Sequence, residues 1–212
     1  NWHATGKFIS KNLSDAVIVD FGSTTTDIIC IKNKIIKNLS FDDFSRLKNN
    51  ELIYTGLTRT PIFGIMNELS LNGINYPVIP EFFSSMSDVY RINKSLDKIL
   101  DIDDTADNTE KNLNQSFIRV ARNFGFDFDK SNKELLKKIS RKLINCQMNK
   151  IAVSLDKLII KFNMSKKVPI VLCGIGNKVL RNFLKSKNIL EFEKFTHSYK
   201  KNLKTIATHH AP

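Results

Sequence analysis

Residues 16–31 constrain the fold of this chain more than any other stretch, because two apolar runs there flank a short polar turn. The first run, residues 16–19, ends at Asp20, and the second run follows Asp27. Runs this short and this rich in valine and isoleucine predict two β-strands rather than helices. The short polar turn between them predicts that the two strands form an antiparallel hairpin.

The turn of this hairpin has the chemistry of a phosphate site. A ligand can come close to the backbone at the glycine that opens the turn, because glycine has no Cβ. The four hydroxyl-bearing residues that follow, with their backbone N–H groups, can form a concavity for an anion. We therefore predict a phosphate-binding turn made of Gly22, Ser23, Thr24, Thr25 and Thr26. The residues alone leave an ordinary hairpin with a threonine-rich turn open as the alternative.

Two carboxylates bracket the turn, Asp20 before it and Asp27 after it. Proteins often hold Mg²⁺ with one or two carboxylates together with the phosphates of a substrate. A third candidate ligand, Asp107, ends an acidic stretch that has four aspartates in residues 101–107. Such a stretch is equally typical of a solvated linker. We expect Mg²⁺ as the cofactor, with Asp20, Asp27 and Asp107 as candidate metal ligands.

A second informative segment is residues 51–61. Pro61 is well suited to the first turn of a helix, which we predict through Leu69. Arg59 and Thr60 would then lie at the N-terminus of that helix, where backbone N–H groups favour an anion. The guanidinium of Arg59 would add a forked donor for a phosphate. We predict Arg59 and Thr60 as phosphate-binding residues, and a surface arginine in a loop is the alternative.

Residues 81–92 are predicted as a helix with one polar face. Glu81, Ser84, Ser85 and Asp88 share that face because of their i, i+3, i+4 and i+7 spacing. A carboxylate on such a face is a candidate general base, so Glu81 and Asp88 are candidate catalytic residues.

An apolar strand at residues 168–173 leads into a glycine turn and then a helix. The backbone at such a turn can lie flat against a planar ligand. A lone Gly-x-Gly is a weak signal. We nevertheless predict Gly174, Gly176 and Asn177 as ligand-binding residues, because they follow the hairpin in chain order.

The remaining periodicity predicts an α/β fold with a mixed sheet and helices on its faces. Strands are predicted at residues 16–21, 27–32, 34–39, 52–54 and 75–80, the first three as an antiparallel meander. Helices are predicted at residues 113–124, at 133–162 with a bend, and at a short segment that ends near Lys48 and is capped by Ser40 with Asp43.

Composition argues against several classes of function. The net charge is +12, but the chain has no arginine-rich block and no aromatic residues interleaved with basic ones, so we predict no nucleic-acid binding. No apolar segment is long enough to span a bilayer and no signal-peptide pattern is visible, so we expect a cytoplasmic protein without membrane association. The three cysteines have no metal or redox spacing.

Several motifs in chain order resemble a known family. They are the string from Asp20 to Asp27, then Tyr54–Pro61, Ser87–Tyr90, Asp104–Asp107, Cys173–Gly176 and the terminal Ala211–Pro212. They resemble the hydantoinase A/oxoprolinase-related family of methanopterin-linked one-carbon metabolism, within the superfamily of acetate and sugar kinases, Hsp70 and actin. The resemblance implies a ribonuclease-H-like (actin/Hsp70-type ATPase) lobe at residues 16–212, with a helical insertion at about 81–165. Residues 1–15 would connect it to a missing N-terminal lobe, so we expect a fragment.

Archaeal members of that family are furan-methanamine synthases of the methanofuran pathway. The resemblance implies a transferase that couples a furan-methyl diphosphate to the phenol of γ-glutamyltyramine and releases diphosphate. Asp20 and Arg59 would act on the leaving group, and Glu81 or Asp88 on the phenol. The partners would be these two small molecules, ATP is compatible but not required, and homo-oligomerisation stays open. The alternatives are an ATP-dependent small-molecule kinase or hydrolase, and a non-catalytic nucleotide-sensing protein of the same fold.

Overall fold

A mixed β-sheet with helices packed on it forms the framework of the first of two structural units. The structure, a computed structural model, describes residues 2–165 and 167–186. Among these, the residues up to Tyr54 and those from Lys150 onward form the first unit, and Thr55–Asn149 form the second. The mixed α/β class that the sequence predicts is therefore confirmed. The terminal Ala211–Pro212 motif lies outside the described residues.

In chain order the helices and strands are α1 (Trp2–Asn12), β1 (Ala16–Phe21), β2 (Thr26–Lys32), β3 (Ile35–Ile36), α2 (Asp43–Lys48), β4 (Leu52–Ile53), β5 (Glu68–Leu71), β6 (Ile74–Pro77), α3 (Met86–Ile92), α4 (Leu113–Arg122), α5 (Lys133–Lys161), β7 (Ile170–Cys173) and α6 (Asn177–Ser186). Short 3-10 segments lie at Ile62–Gly64 and Lys98–Leu100.

The sheet of the first unit is built around β1. Its strand order is β3-β2-β1-β7, and β4 pairs with the other half of β2. Strand β1 pairs antiparallel with β2, so that Asp20 lies opposite Asp27, and parallel with β7, so that Asp20 lies beside Cys173. The predicted antiparallel meander is confirmed, although its third strand is only Ile35–Ile36.

One face of this sheet is covered by α1. The cluster on that face comprises Ile9, Ala16, Ile18, Ile29, Ile31, Val171 and Cys173, with Trp2, Leu13 and Ile36 at its edge. Side chains alternate between the two faces along a strand, so Asp20 and Asp27 continue the face that carries Ile18 and Ile29. The apolar face therefore ends in two carboxylates at the hairpin turn.

The second unit contains the hairpin β5–β6, the packed helices α3 and α4, and residues 133–149 of α5. Phe117 of α4 is buried and stacks on Phe128, with ring centroids 5.0 Å apart. The hydroxyl of Tyr90 donates to Gln147, whose amide in turn donates to Gly56 O at 2.7 Å. These polar contacts satisfy groups that burial would otherwise leave unpaired.

The helix predicted from Pro61 to Leu69 is wrong. Only a 3-10 turn at Ile62–Gly64 forms, and the chain then enters β5, which pairs with β6. Asn72 and Gly73, which join these strands, both have positive φ, as a two-residue hairpin turn requires. The Asn-Gly pair was therefore the sequence signal for this hairpin. Arg59 and Thr60 do not lie at the N-terminus of an α-helix.

The helix predicted from Glu81 is also wrong in its first part, since α3 begins at Met86. Ser85 is extended and forms an isolated bridge with Pro61, and the amide of Met86 donates to Thr60 O at 2.8 Å. These pairings with another segment outweigh the local helical spacing, so Glu81, Ser84, Ser85 and Asp88 share no helix face.

Three further expectations can be compared with the structure. Helix α2 is capped by Asp42, which accepts from Ser45 N at 2.9 Å, and not by Ser40 or Asp43. Helix α5 runs without interruption from Lys133 to Lys161. Within the described residues no helix combines the length and apolar character needed to cross a membrane.

We predict that Gly174→Ala destabilises the protein by about 3 kcal/mol, because a Cβ at this positive-φ position would overlap the end of β1. Gly73→Ala is the matched control, because Gly73 has the same φ of +78° but no atom within 4 Å of an added Cβ. Gly73→Ala should lower the free energy of unfolding by only about 1 kcal/mol. Urea unfolding followed by circular dichroism measures both, and equal losses would contradict the close approach at Gly174.

Candidate functional site

The hairpin turn between β1 and β2 is the first candidate site. The amide of Gly22 donates to Thr25 O at 2.9 Å and closes the turn above the last strand pair, Phe21 and Thr26. Ser23, Thr24 and Thr25 are half-buried in this turn. Thr26 belongs to β2 and is completely buried, so its side chain is not exposed at the turn. The turn therefore presents three hydroxyl side chains.

The glycine turn after β7 lies directly against the end of β1. A Cβ on Gly174 would fall 2.5 Å from Asp20 Oδ1 and would overlap the carbonyl oxygen of Phe21. The amide of Gly176 donates to that carbonyl at 2.8 Å, and a Cβ there would overlap the Phe21 ring. Both glycines are thus required by the approach of two chain segments, whatever ligand binds nearby.

Asn177 completes the glycine turn, because its side-chain amide donates to Gly174 O at 2.6 Å. The structure consequently brings together, at one edge of one sheet, four features from two segments that are far apart in sequence. They are Asp20, the turn 22–25, Gly174 and the first residue of α6. The sequence order of the motifs did not specify this contact, which follows from the parallel pairing of β1 with β7.

The carboxylate of Asp27 forms an ion pair with Arg46. Arg46 Nη1 lies 2.7 Å from Asp27 Oδ1, and the Arg46 side chain is only 3% exposed. Burial raises the pKa of Asp27, and the Arg46 guanidinium offsets that rise only in part. The structure therefore places Asp27 next to a cation that belongs to the protein itself.

The thiol of Cys173, the register partner of Asp20, is buried. Burial, with a contribution from the charge of Asp20, raises the pKa of the Cys173 thiol to about 12. Burial likewise raises the pKa of Cys30 to about 12. A thiol needs a lowered pKa to react as thiolate near neutral pH, so these cysteines are part of the core.

In the second unit, Arg59 is exposed and Thr60 is not. The Arg59 side chain is 53% exposed, and its Nε donates to Asp103 Oδ1 at 2.7 Å. Thr58 donates to the other oxygen of Asp103 at 2.6 Å. Thr60 is buried, and its hydroxyl bonds within the loop to Gly56. Of the two predicted phosphate ligands here, only Arg59 is accessible.

Asp88 lies in a buried network of ion pairs. It is 1% exposed, and Arg119, which is completely buried, donates to both of its oxygens at distances of 2.7–3.1 Å. Arg91 and Ser116 also donate to Asp88 Oδ1. Both oxygens of Asp88 thus accept hydrogen bonds from the protein's own side chains inside the second unit. Asp88 therefore links α3 to Ser116 and Arg119 of α4.

Asp107 belongs to the same network, whereas Glu81 does not. Arg119 Nη1 lies 3.1 Å from Asp107 Oδ1, and Thr109 donates to the same oxygen. Burial would raise the pKa of Asp107, but the bonds from Thr109 and Arg119 outweigh it and the pKa is lowered. Glu81 is exposed ahead of α3 and accepts from its neighbour Phe82 N at 3.1 Å.

The donors for a divalent cation are few. Among the described residues, no group of three or more His, Cys, Asp or Glu side chains is placed to hold a metal ion. Mg²⁺ keeps several waters and often takes only one or two protein carboxylates beside substrate phosphates. Asp20 at the mouth of the hairpin fits that second mode, and a closed cage of protein ligands is not formed by the described part of the chain.

Sequence reasoning missed Arg46, Arg119 and Asp103, which hold the candidate residues in place. The signal for Arg119 was its position among apolar residues of a strongly amphipathic helix, where an arginine requires a buried partner.

No protein-family model matches the chain. It is 32% identical over 197 residues to the (4-{4-[2-(gamma-L-glutamylamino)ethyl]phenoxymethyl}furan-2-yl)methanamine synthase of Methanocaldococcus jannaschii, covering 91% of this chain and 58% of that protein. It is 30% identical over 183 residues to the synthase of the same name from Methanococcus vannielii, covering 84% of this chain and 79% of that protein. The chain thus spans little more than half the length of the first relative.

We predict that Asp88→Asn lowers the free energy of unfolding by about 3 kcal/mol, because it leaves the buried Arg119 without its full counterion. Glu81→Gln should leave the urea midpoint unchanged, because Glu81 is exposed. Urea unfolding of the two variants makes the comparison. An Asp88→Asn protein that kept wild-type stability but lost activity would show that Asp88 takes part in the reaction and does not stabilise the fold.

The lowered pKa of Asp103 and of Asp107 predicts loss of stability in acid. Burial raises the pKa of the Asp103 carboxyl, but the hydrogen bonds from Thr58 and Arg59 lower it by more. Because both folded-state pKa values lie below the unfolded value of about 3.9, the stabilisation is complete above that pH and disappears below it. We expect Asp103→Asn to flatten the fall in stability between about pH 5 and pH 3. The exposed Asp104→Asn is the control, and an unchanged slope in Asp103→Asn would refute the assignment.

Proposed function

This chain belongs to the family of the (4-{4-[2-(gamma-L-glutamylamino)ethyl]phenoxymethyl}furan-2-yl)methanamine synthases, and on that premise we propose that it forms the aryl ether of their product. The name of the relatives describes a phenol oxygen joined to a methylene carbon on position 4 of a furan ring, which carries the methanamine group on position 2. The phenol half, with its γ-glutamylaminoethyl group, corresponds to γ-glutamyltyramine. We propose that this phenol and a furan-methyl diphosphate are the two substrates.

The proposed reaction is an alkyl transfer. The phenol oxygen attacks the furan-methyl carbon, the bond from that carbon to the diphosphate oxygen breaks, and diphosphate leaves with the electron pair. The phenol proton passes to a base. The protein has to stabilise the charge that develops on the leaving oxygen, which calls for donors and cations placed in advance.

One observation carries the proposal: Asp20, the turn 22–25 and the glycine turn meet at one edge of the sheet. The hydroxyls of Ser23, Thr24 and Thr25 are the donors offered to the leaving diphosphate. A bound Mg²⁺ would supply a Lewis acid that neutralises the phosphate oxygens. Asp20 is the residue that would hold it.

In the second unit we propose different roles from those that the sequence suggested. Arg59 is the accessible guanidinium for an anionic substrate group, since Thr60 is buried. Glu81 is the carboxylate to test as the base for the phenol proton, since Asp88 is held by Arg119 and Arg91.

The finer classification is also a proposal. An antiparallel meander whose first strand also pairs in parallel with a later strand, β7, supports a ribonuclease-H-like lobe of the hydantoinase/oxoprolinase and actin-type superfamily. We propose a cytoplasmic location, because both substrates would be small polar metabolites.

The test is to give the purified protein Mg²⁺ and the two proposed substrates, and in a second reaction Mg²⁺ and ATP. We expect diphosphate release with formation of the ether in the first, detected by mass spectrometry.

Asp20→Asn should lower kcat about 100-fold or more, because it removes stabilisation of the leaving group. The matched control is Asp15→Asn, an exposed carboxylate at the start of β1. ATP turnover without ether formation would replace the transferase with a kinase or hydrolase.

A further inference from the structure

The γ-glutamyl group in the name of the relatives has a distinctive charge pattern. Because this group is linked through its γ-carboxyl, its α-carboxylate and its α-ammonium group stay free. Near neutral pH one end of the proposed phenol substrate is therefore a zwitterion, with both charges attached to one carbon. A protein site for this end needs a cation and an anion side by side.

Arg59 and Asp103 form such a pair in the second unit. Arg59 Nε donates to Asp103 Oδ1 at 2.7 Å, and the two side chains are 53% and 19% exposed. The other carboxylate oxygen accepts from the hydroxyl of Thr58, a buried residue, at 2.6 Å. A guanidinium and a carboxylate are therefore both accessible at one place, and the carboxylate is held from its buried side.

Both members of the pair keep hydrogen-bonding capacity for a ligand. Among the described residues, Nη1 and Nη2 of Arg59 have no hydrogen-bond partner, and these two groups form the fork that binds a carboxylate in bidentate fashion. Each oxygen of Asp103 accepts one of these hydrogen bonds and retains a second lone pair. Burial raises the pKa of Asp103, but the hydrogen bonds from Thr58 and Arg59 lower it by more, so that the carboxylate stays ionised.

The loop that carries Asp103 is fixed by its own contacts. Arg91 of α3 donates to both carboxylate oxygens of Asp101 at 2.8 Å. Lys111 Nζ donates to the backbone oxygens of Asp101 and Ile102, each at 3.1 Å. The position of Asp103 is therefore set before any ligand binds, which lowers the entropy cost of binding.

The charge of the pair favours a zwitterion over a diphosphate. The formal charges of Arg59 and Asp103 cancel, and Asp103 would repel the several negative charges of a diphosphate bound to Arg59. A zwitterion gains from both members, because its carboxylate meets the guanidinium and its ammonium group meets the carboxylate.

We propose that Arg59 and Asp103 bind the amino-acid end of the γ-glutamyl group, with Arg59 donating to the α-carboxylate and Asp103 accepting from the α-ammonium group. This inference rests on the proposed function for the identity of the phenol substrate. It assigns Arg59 to substrate selection and replaces the expectation that Arg59 binds a phosphate.

The first experiment measures the steady-state kinetics of ether formation with Arg59→Ala. The KM for γ-glutamyltyramine should rise about tenfold while kcat stays nearly unchanged, because the lost contact is remote from the phenol oxygen. Tyramine, which lacks the γ-glutamyl group, should be used equally well by Arg59→Ala and the wild type. The matched control is Arg122→Ala, because Arg122 is 48% exposed and also pairs with an aspartate of the second unit. Equal KM values for the two variants would overturn the proposal.

The second experiment tests Asp103 with a substrate whose α-nitrogen carries no charge, N-acetyl-γ-glutamyltyramine. The wild type and the exposed-site control Asp104→Asn should prefer the free amine about tenfold in kcat/KM, whereas Asp103→Asn should show no preference. A preference that persists in Asp103→Asn would mean that Asp103 does not meet the ammonium group, and would refute its role.

Calorimetric binding separates the two anions and the two proposals. Arg59→Ala should leave the Kd for inorganic diphosphate unchanged, and a weaker Kd would assign Arg59 to the leaving group instead. If the wild type forms no ether, the proposed function fails, and the Kd for γ-glutamyltyramine then decides the pair. Weaker binding by Arg59→Ala than by Arg122→Ala supports the pair, and equal binding by these variants, or no binding by the wild type, overturns it.

Discussion

The contact between the glycine turn and the end of β1 is the constraint on which the first unit depends. Gly174 and Gly176 bring the backbone after β7 against the carbonyl and ring of Phe21 and against the carboxylate of Asp20. Any larger residue would push β7 away from β1 and open the parallel half of the sheet. The candidate site exists because this contact joins the hairpin turn to the first turn of α6.

A buried arginine fixes a carboxylate in each unit. Arg46 holds Asp27 in the first unit, and Arg119 holds Asp88 in the second. Breaking such a pair is costly because the remaining charge stays in a medium of low dielectric constant. Both carboxylates have the sequence surroundings of catalytic or metal-binding residues, and in both cases the structure shows a counterion where the sequence suggests chemistry.

The family relationship and the geometry support the function from different directions. Two synthases are 32% and 30% identical to this chain over the aligned residues. The structure independently places a hydroxyl-rich turn, a carboxylate and a glycine turn together at one sheet edge. Family membership suggests which ether is formed, and the geometry suggests which residues would receive the leaving group. The proposed reaction needs both, because a phosphate turn by itself does not distinguish a transferase from a kinase.

The sequence by itself determined the elements that local patterns control. The hairpin at residues 16–31, helix α4 and the strand that runs into Gly174 were all predicted, because alternation, helical periodicity and glycine act within a few residues. Only the tertiary structure decided that α3 begins at Met86, since residues 58–61 pair with Ser85 and with the first two residues of the helix. It also decided that Asp27 pairs with Arg46 and Asp88 with Arg119, which lie 19 and 31 residues away along the chain. Charge compensation depends on distance in space, and a one-dimensional pattern does not contain that distance.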